Sequence, residues 1–265
     1  MSAAAIALVL VSAFMHAVWN ARARDGGDRV SELTIAYGTG VVILTPWLII
    51  DPPFEVIGLV LFSGAAHAGY LTFLSAAYRR GELATMYPLA RGSAPLILGV
   101  VGIWALDQTP TVVVFVGAAV LAVGLISIGG VAWGDGQRHA LAMALITGCF
   151  IATYSVLDSL GVRDTGAVGF FAGSSIVAVV IMIVLNQQSL TRLKGSLRAG
   201  ASIGLLQSTG YVLVLLAYTR AESARVVTLR GTSVLFVMLL SRRTINRRLV
   251  VGAFMVVIGA ALVAT

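Results

Sequence analysis

Apolar residues run along this chain in long blocks, separated by short polar stretches and without period-two alternation. A block of about 20 apolar residues is long enough to cross the hydrocarbon core of a bilayer as an α-helix. Ten such blocks are expected, at residues 2–20, 30–50, 56–78, 84–105, 110–131, 139–160, 166–185, 199–218, 224–241 and 249–263. The connections carry turn residues: DGGD after the first block, DPP after the second and GDG after the fifth. No connection has room for a soluble domain, and the continuous blocks exclude a β-barrel. The pattern predicts an all-α membrane protein of ten transmembrane helices.

The chain also repeats itself at a spacing of about 140 residues. GYLTFLSAAYRRGELATMYPLARGSAPL in the first half aligns with GYVLVLLAYTRAESARVVTLRGTSVLF in the second. Gly69 and Tyr70 match Gly210 and Tyr211; Ala77 and Tyr78 match Ala217 and Tyr218; Arg80 matches Arg220; Glu82 matches Glu222. Arg91-Gly92-Ser93 then matches Arg230-Gly231-Thr232, and a weaker match links AVWN at 17–20 with ATYS at 152–155. Halves of five helices each must lie in opposite orientations, because five is odd. The expected organisation is therefore one integral membrane domain of two inverted five-helix repeats, residues 1–134 and 135–265. In transporters built this way the binding site lies near the midplane between the repeats.

Composition agrees with this plan and removes a rival. Hydrophobic residues are 58% of the 265 and charged residues 11%, against about 25% charged in soluble domains. A net charge of +7 invites a nucleic-acid reading. The basic residues, however, sit in short groups between apolar blocks rather than on one face. Thirteen Lys and Arg fall in the loops after the odd-numbered blocks; three, Arg163, Arg220 and Arg225, fall on the opposite side. The positive-inside rule then places the thirteen in the cytoplasm and both termini outside it. The lone Cys149 lies in an apolar block and supports neither an intramolecular disulfide nor a metal cluster. The N-terminal block lacks the basic region of a signal peptide and is expected to be retained as a helix.

The residues HAxWN (His16, Ala17, Trp19, Asn20), followed by GELATMYPLARGSAPL, resemble the drug/metabolite transporter superfamily, in particular its ten-helix EamA-type branch. The resemblance spans essentially the whole chain and implies duplicated five-helix halves and transport of a small molecule. The YPLARG form is also similar to a subgroup of permeases associated with phosphonate use. Two features depart from the family pattern. SRRTINRR before the last block stands where an acidic residue is common, and related members are often described with cytoplasmic termini.

Arg91 lies about two turns into the fourth block, roughly 10 Å from its start, and Arg230 takes the matching place in the ninth. A guanidinium in hydrocarbon costs about 2.5–3.5 kcal/mol on insertion scales, so each needs a reason. Inverted halves bring the two in from opposite faces toward one cavity, where paired guanidinium groups suit a carboxylate or phosphate. Pro95 cannot donate to the carbonyl of Arg91, which frees an acceptor beside the charge. The alternative is that the arginines snorkel or clamp helices through backbone carbonyls. Trp19, Asn20, Tyr70, Tyr87 and Tyr211 are candidate substrate contacts, with interfacial belting the ordinary alternative for aromatic residues. His16, His67 and Asp158 are candidate proton carriers, or hydrogen-bonded helix contacts. No glutamate occupies a block centre, which weakens cation/proton antiport.

No phosphate loop, metal spacing or nucleophile–base pair is present, so no cofactor or metal and no enzymatic activity are expected. The sequence points to a secondary transporter in the bacterial inner membrane, exporting a small anionic or zwitterionic metabolite by alternating access, with proton or ion coupling and as a monomer or homodimer. A membrane enzyme acting on a lipid headgroup, or a channel, is the alternative. Substrate and lipid bilayer, and no nucleic acid, are the expected partners.

Overall fold

The computed structural model describes residues 1–24, 27–80, 83–105, 111–129, 138–240 and 247–264. They form α1 (Ala3–Arg24), α2 (Arg29–Ile50), α3 (Ile57–Arg80), α4 (Leu83–Ala105), α5 (Val112–Gly129), α6 (Arg138–Asp164), α7 (Ala167–Leu185), α8 (Leu190–Tyr218), α9 (Ser223–Arg230), α10 (Ser233–Leu240) and α11 (Arg247–Ala264). A single 3₁₀ turn, Phe54–Val56, leads into α3, and no strand occurs among the described residues. Helices are what such a sequence forms in lipid, where every backbone donor and acceptor must be satisfied within its own segment. Eight stretches of the described residues are long and apolar enough to cross a membrane, and the apolar helix at Val112–Ile128 is shorter. Asp25 and Gly26 of DGGD, Glu82, the GDG turn at 134–136 and most of SRRTINRR lie outside the described residues.

The sequence pattern places most helices within a few residues of where they are. Two differences have physical causes. α8 begins at Leu190 rather than 199, because Ser189 caps it by accepting from the Arg192 amide at 3.3 Å. Its basic first turns continue the helix beyond the apolar block. The ninth block is two helices, α9 and α10, separated at Gly231–Thr232. Bonds to the third residue back carry the chain across: Gly231 to Thr228 at 2.9 Å, Thr232 to Leu229 at 3.1 Å, Val234 to Gly231 at 3.2 Å. These tighter turns keep backbone donors satisfied through the break. Its counterpart α4 runs unbroken despite Pro88 and Pro95.

Burial is inverted relative to a water-soluble protein. Val42, Ile49, Val112 and Leu239 are each about three-quarters exposed, while His16, Ser63, His67, Arg91, Asp158, Gln207 and Arg230 are buried. Such an apolar exterior around a polar interior suits a lipid solvent. The main packing pairs are α5 with α11, α3 with α6 and α7, α2 with α7 and α8, α1 with α8 and α10, and α4 with α5 and α6. The Met1 amino group donates to the Ala264 carbonyl at 2.8 Å, so both ends of the chain meet at one face.

Small residues allow the closest of these contacts, as is usual between helices that gain nothing by hiding apolar surface from lipid. In α5 and α11 two glycine pairs face each other. A Cβ on Gly124 would lie 2.7 Å from the Gly252 carbonyl oxygen, and one on Gly117 2.9 Å from that of Gly259. Both neighbours are backbone and cannot rotate away. Replacing Gly124 or Gly259 by Val is expected to cost ~1–3 kcal/mol through forced separation of the helices. The check is a lowered melting temperature of the purified protein in detergent, with Gly58→Ala, where no atom lies near, as the unaffected control.

Candidate functional site

The buried polar groups form two adjoining clusters. The first is centred on His16 of α1. Arg91, from α4, places its Nη2 within hydrogen-bond reach of His16 Nε2 and 3.4 Å from Nδ1. Arg230, the last residue of α9, places its Nη2 3.4 Å from the same Nδ1. Termination of α9 just there turns the negative end of the helix dipole toward the Arg230 charge. A neutral imidazole offers one acceptor lone pair, whereas each guanidinium is a fork of donors with no acceptor. His16 therefore cannot satisfy both, and the Nε atoms of Arg91 and Arg230 are buried without a partner.

Aromatic faces supply part of the missing stabilisation. The Arg91 guanidinium lies 5.8 Å from the Tyr87 ring centre and that of Arg230 lies 5.1 Å from the Tyr211 ring centre. His16 meets Trp19 edge to face at 4.7 Å and lies parallel to Tyr87 at 6.0 Å. The Tyr87 hydroxyl is 2.9 Å from Ser233 Oγ, which ties α4 to the first residue of α10. Asn20 donates from Nδ2 to the His16 carbonyl at 2.9 Å, bracing the helix that carries the histidine.

The second cluster surrounds Asp158 of α6. Its carboxylate accepts hydrogen bonds from Ser63 and Tyr211 and lies 3.2 Å from His67 Nε2. His67 Nδ1 is 3.0 Å from the Tyr37 hydroxyl. With a proton on Nε2 facing Asp158, Nδ1 accepts from Tyr37; a second proton would reverse that bond. The His67 ring stacks on Tyr154 at 4.1 Å. Helices α3, α6 and α8 thus meet at one carboxylate, which α2 joins through His67, and the carboxylate's partners among the described residues are donors.

A cavity joins the clusters. It is lined by His16, Trp19, Tyr37, His67, Tyr70, Tyr154, Gln207, Tyr211 and Arg230, with Leu33 and Leu71 at its side. Its free space is only about 10 Å³, about enough for one water. The polar groups therefore pack closely around it. Six residues singled out in the sequence stand on this wall: Trp19, Tyr70, Tyr211, Arg230, His16 and His67. Arg91 and Tyr87 stand behind His16, and Asp158 behind His67. Tyr37, Gln207 and Ser63 are additional members. A tyrosine, a glutamine and a serine inside apolar blocks were the available signal, weak because such residues also serve as ordinary helix contacts.

Residues 138–265 match the model of the EamA-like transporter family. The second half thus bears out the resemblance carried by the sequence motifs, being similar to a family of membrane transporters. No curated protein matches by sequence. Among solved structures, one crystal structure of a protein superposes with a TM-score of 0.78 at 14% identity, covering 100% of this chain and 97% of that one. At that identity the likeness speaks for the fold alone.

The Asp158 cluster has a testable energetic consequence. Asp158→Asn keeps the side-chain size but turns an acceptor into a donor, facing Ser63, Tyr211 and His67. A destabilisation of ~1–3 kcal/mol is expected from the unsatisfied donors, read as a lowered melting temperature. Asp158→Glu, which keeps the acceptors, is expected to lose less.

Proposed function

We propose that this chain, EamA-like in its second half, is a secondary transporter that moves a small anionic or zwitterionic metabolite by alternating access. The observation that carries the reading is the convergence of Arg91 and Arg230 on one histidine too poor in lone pairs for both. Among the described residues, the other buried carboxylates are Asp158, already surrounded by donors, and Glu32 in the first turn of α2. A substrate carboxylate or phosphate provides the missing acceptors, and two parallel bonds to a guanidinium are the strongest way to use them. Trp19, Asn20, Tyr70, Tyr87 and Tyr211 complete the proposed site.

Ten crossings in two inverted halves, 1–134 and 135–265, are part of this proposal, with α4 as the tenth crossing and α9 with α10 as one. Packing supports it. Exchanging α1 with α6, α2 with α7, α3 with α8, α4 with α9–α10 and α5 with α11 maps the main packing pairs onto one another, except that α4–α5 maps onto the slighter α9–α11 contact. α3–α6 becomes α8–α1, α2–α8 becomes α7–α3, α4–α6 becomes α10–α1, and α2–α7 and α5–α11 map onto themselves. Meeting termini agree with an even number of crossings. The loop charges support a cytoplasmic location for the arginine-rich face, in a bacterial inner membrane, and outward transport is taken from the family resemblance. In the proposed cycle His67 and Asp158 carry the coupling proton, with His16 as the acceptor between the arginines.

Proteoliposomes test the reading. Uptake of organic anions without ATP is expected for the native chain. Arg91→Gln and Arg230→Gln are each expected to weaken apparent affinity about 10–100-fold, since charged hydrogen bonds contribute about 1.5–3 kcal/mol. Unchanged flux in the folded double variant would refute the assignment. Separately, a proton gradient is expected to drive accumulation in the native chain but not in Asp158→Asn, whose counterflow of labelled substrate should persist.

A further inference from the structure

A second cavity, of about 260 Å³, opens at the arginine-rich face. Its wall is built from Gly27, Asp28, Arg29 and Val30 at the start of α2, Ser75 and Arg79 at the end of α3, and Arg192 in the first turn of α8. Among the described residues, Arg79 and Arg192 stand on this wall with one carboxylate. That carboxylate, Asp28, is already bound by Arg192 Nε at 2.7 Å and by Ser31 Oγ at 2.8 Å. Burial pushes the Asp28 carboxyl up, but the bonds from Arg192 and Ser31 outweigh it and hold the group below its ordinary value. Asp28 therefore stays charged at neutral pH, where it balances Arg192 and leaves the Arg79 guanidinium on the described wall. Glu32, one turn along α2, is buried and is not part of the wall. Ser75 is 1% exposed, and its hydroxyl, on the cavity wall, has no partner.

This cavity lies along the same helix faces as the central one. Tyr37 and Leu33 line the central cavity on α2, and the next turn brings Val30 and Arg29. On α3, His67 and Leu71 line it, and Ser75 stands one turn further. Residues four apart share a helix face, so the outer cavity sits about one turn, ~5 Å, beyond the inner. The link between α7 and α8 closes this level. Gln187 takes a left-handed φ of 47°, Gln188 donates to Thr34 Oγ1 at 2.7 Å and Asn186 Nδ2 is 3.5 Å from Thr72 Oγ1.

We infer that the outer cavity is a second oxyanion site, in which Arg79 and the Ser75 hydroxyl hold a phosphate or carboxylate group at the cytoplasmic mouth of the central site. An oxyanion there also competes with Asp28 for Arg192, the one ion pair among the described residues that ties α2 to α8. The inference deepens the anionic-substrate reading and shares its premise. The ligand is a phosphate-type anion, drawn either from solution or from a lipid headgroup, since basic pockets at this face also take lipid phosphates.

The full chain in phosphatidylcholine nanodiscs separates these cases. Inorganic phosphate, titrated against chloride at constant ionic strength, is expected to raise the melting temperature of the native chain by several degrees. The same shift is expected in the Arg91→Gln/Arg230→Gln variant and is expected to fall at least threefold in Arg79→Gln. Ser75→Ala, which keeps every charge, should also reduce it, a result that charge screening alone does not give. If phosphatidylglycerol, without added phosphate, gives the Arg79-dependent stabilisation instead, the group bound is a lipid headgroup and the site stands. A shift lost in the central double variant but kept in Arg79→Gln places the anion in the central cavity and overturns the outer site. Absence of any Arg79-dependent stabilisation by either probe overturns it as well, while leaving the transport defect of the central variants as a separate result.

Discussion

Two guanidinium groups that share one histidine impose the severest constraint on the buried polar interior. Lipid gives a buried charge no water to fall back on, so its cost must be offset by the protein. Here the protein supplies a ring nitrogen, two aromatic faces and a helix C-terminus, and stops short of a carboxylate. A purely structural clamp would be more stable with the charge neutralised and every donor matched. Two buried Nε atoms without acceptors fit the proposed site, whose complement comes from outside. That is the physical ground for preferring substrate contact over helix bracing.

Lipid as solvent also sets how the frame is built. Apolar surface is left on the outside, so the contacts between helices depend on fit, and glycine pairs such as Gly124 with Gly252 let backbones touch. The two arginine helices reach equivalent positions differently. α4 keeps its helix through two prolines, while α9 stops and α10 resumes. Only the second arrangement puts an arginine on a helix terminus. The arginines are thus matched in sequence but unequal in surroundings.

The all-helical fold was legible because apolar block length is a direct readout of bilayer thickness. Arg91 and Arg230 were legible because the repeat pairs them and because an arginine in hydrocarbon demands an explanation. The break after Arg230 was not. Gly231 and Thr232 are tolerated inside apolar helices, and nothing in their identity marks a terminus, whereas Pro95, the stronger local signal, leaves α4 whole. The cluster at Asp158 was half legible: His67 and Asp158 stand out as charges, but nothing local in the sequence says that Tyr37 and Ser63, from two different helices, meet them. Nor does apolar patterning show that α8 starts two turns early, since a capping serine and a run of basic residues read as loop.

Tyr211 belongs to both clusters, and this single residue gives the site its logic. Its ring carries the Arg230 guanidinium, and its hydroxyl donates to Asp158. In the proposed cycle a charged Asp158 draws the hydroxyl and holds the ring in place under the arginine, and a proton on Asp158 weakens that hold. Under the same proposal a substrate anion draws Arg230 away from the ring from the other side. The two proposed events then meet at one side chain, and coupling between them needs no long pathway, because the shared tyrosine makes each event change the energy of the other.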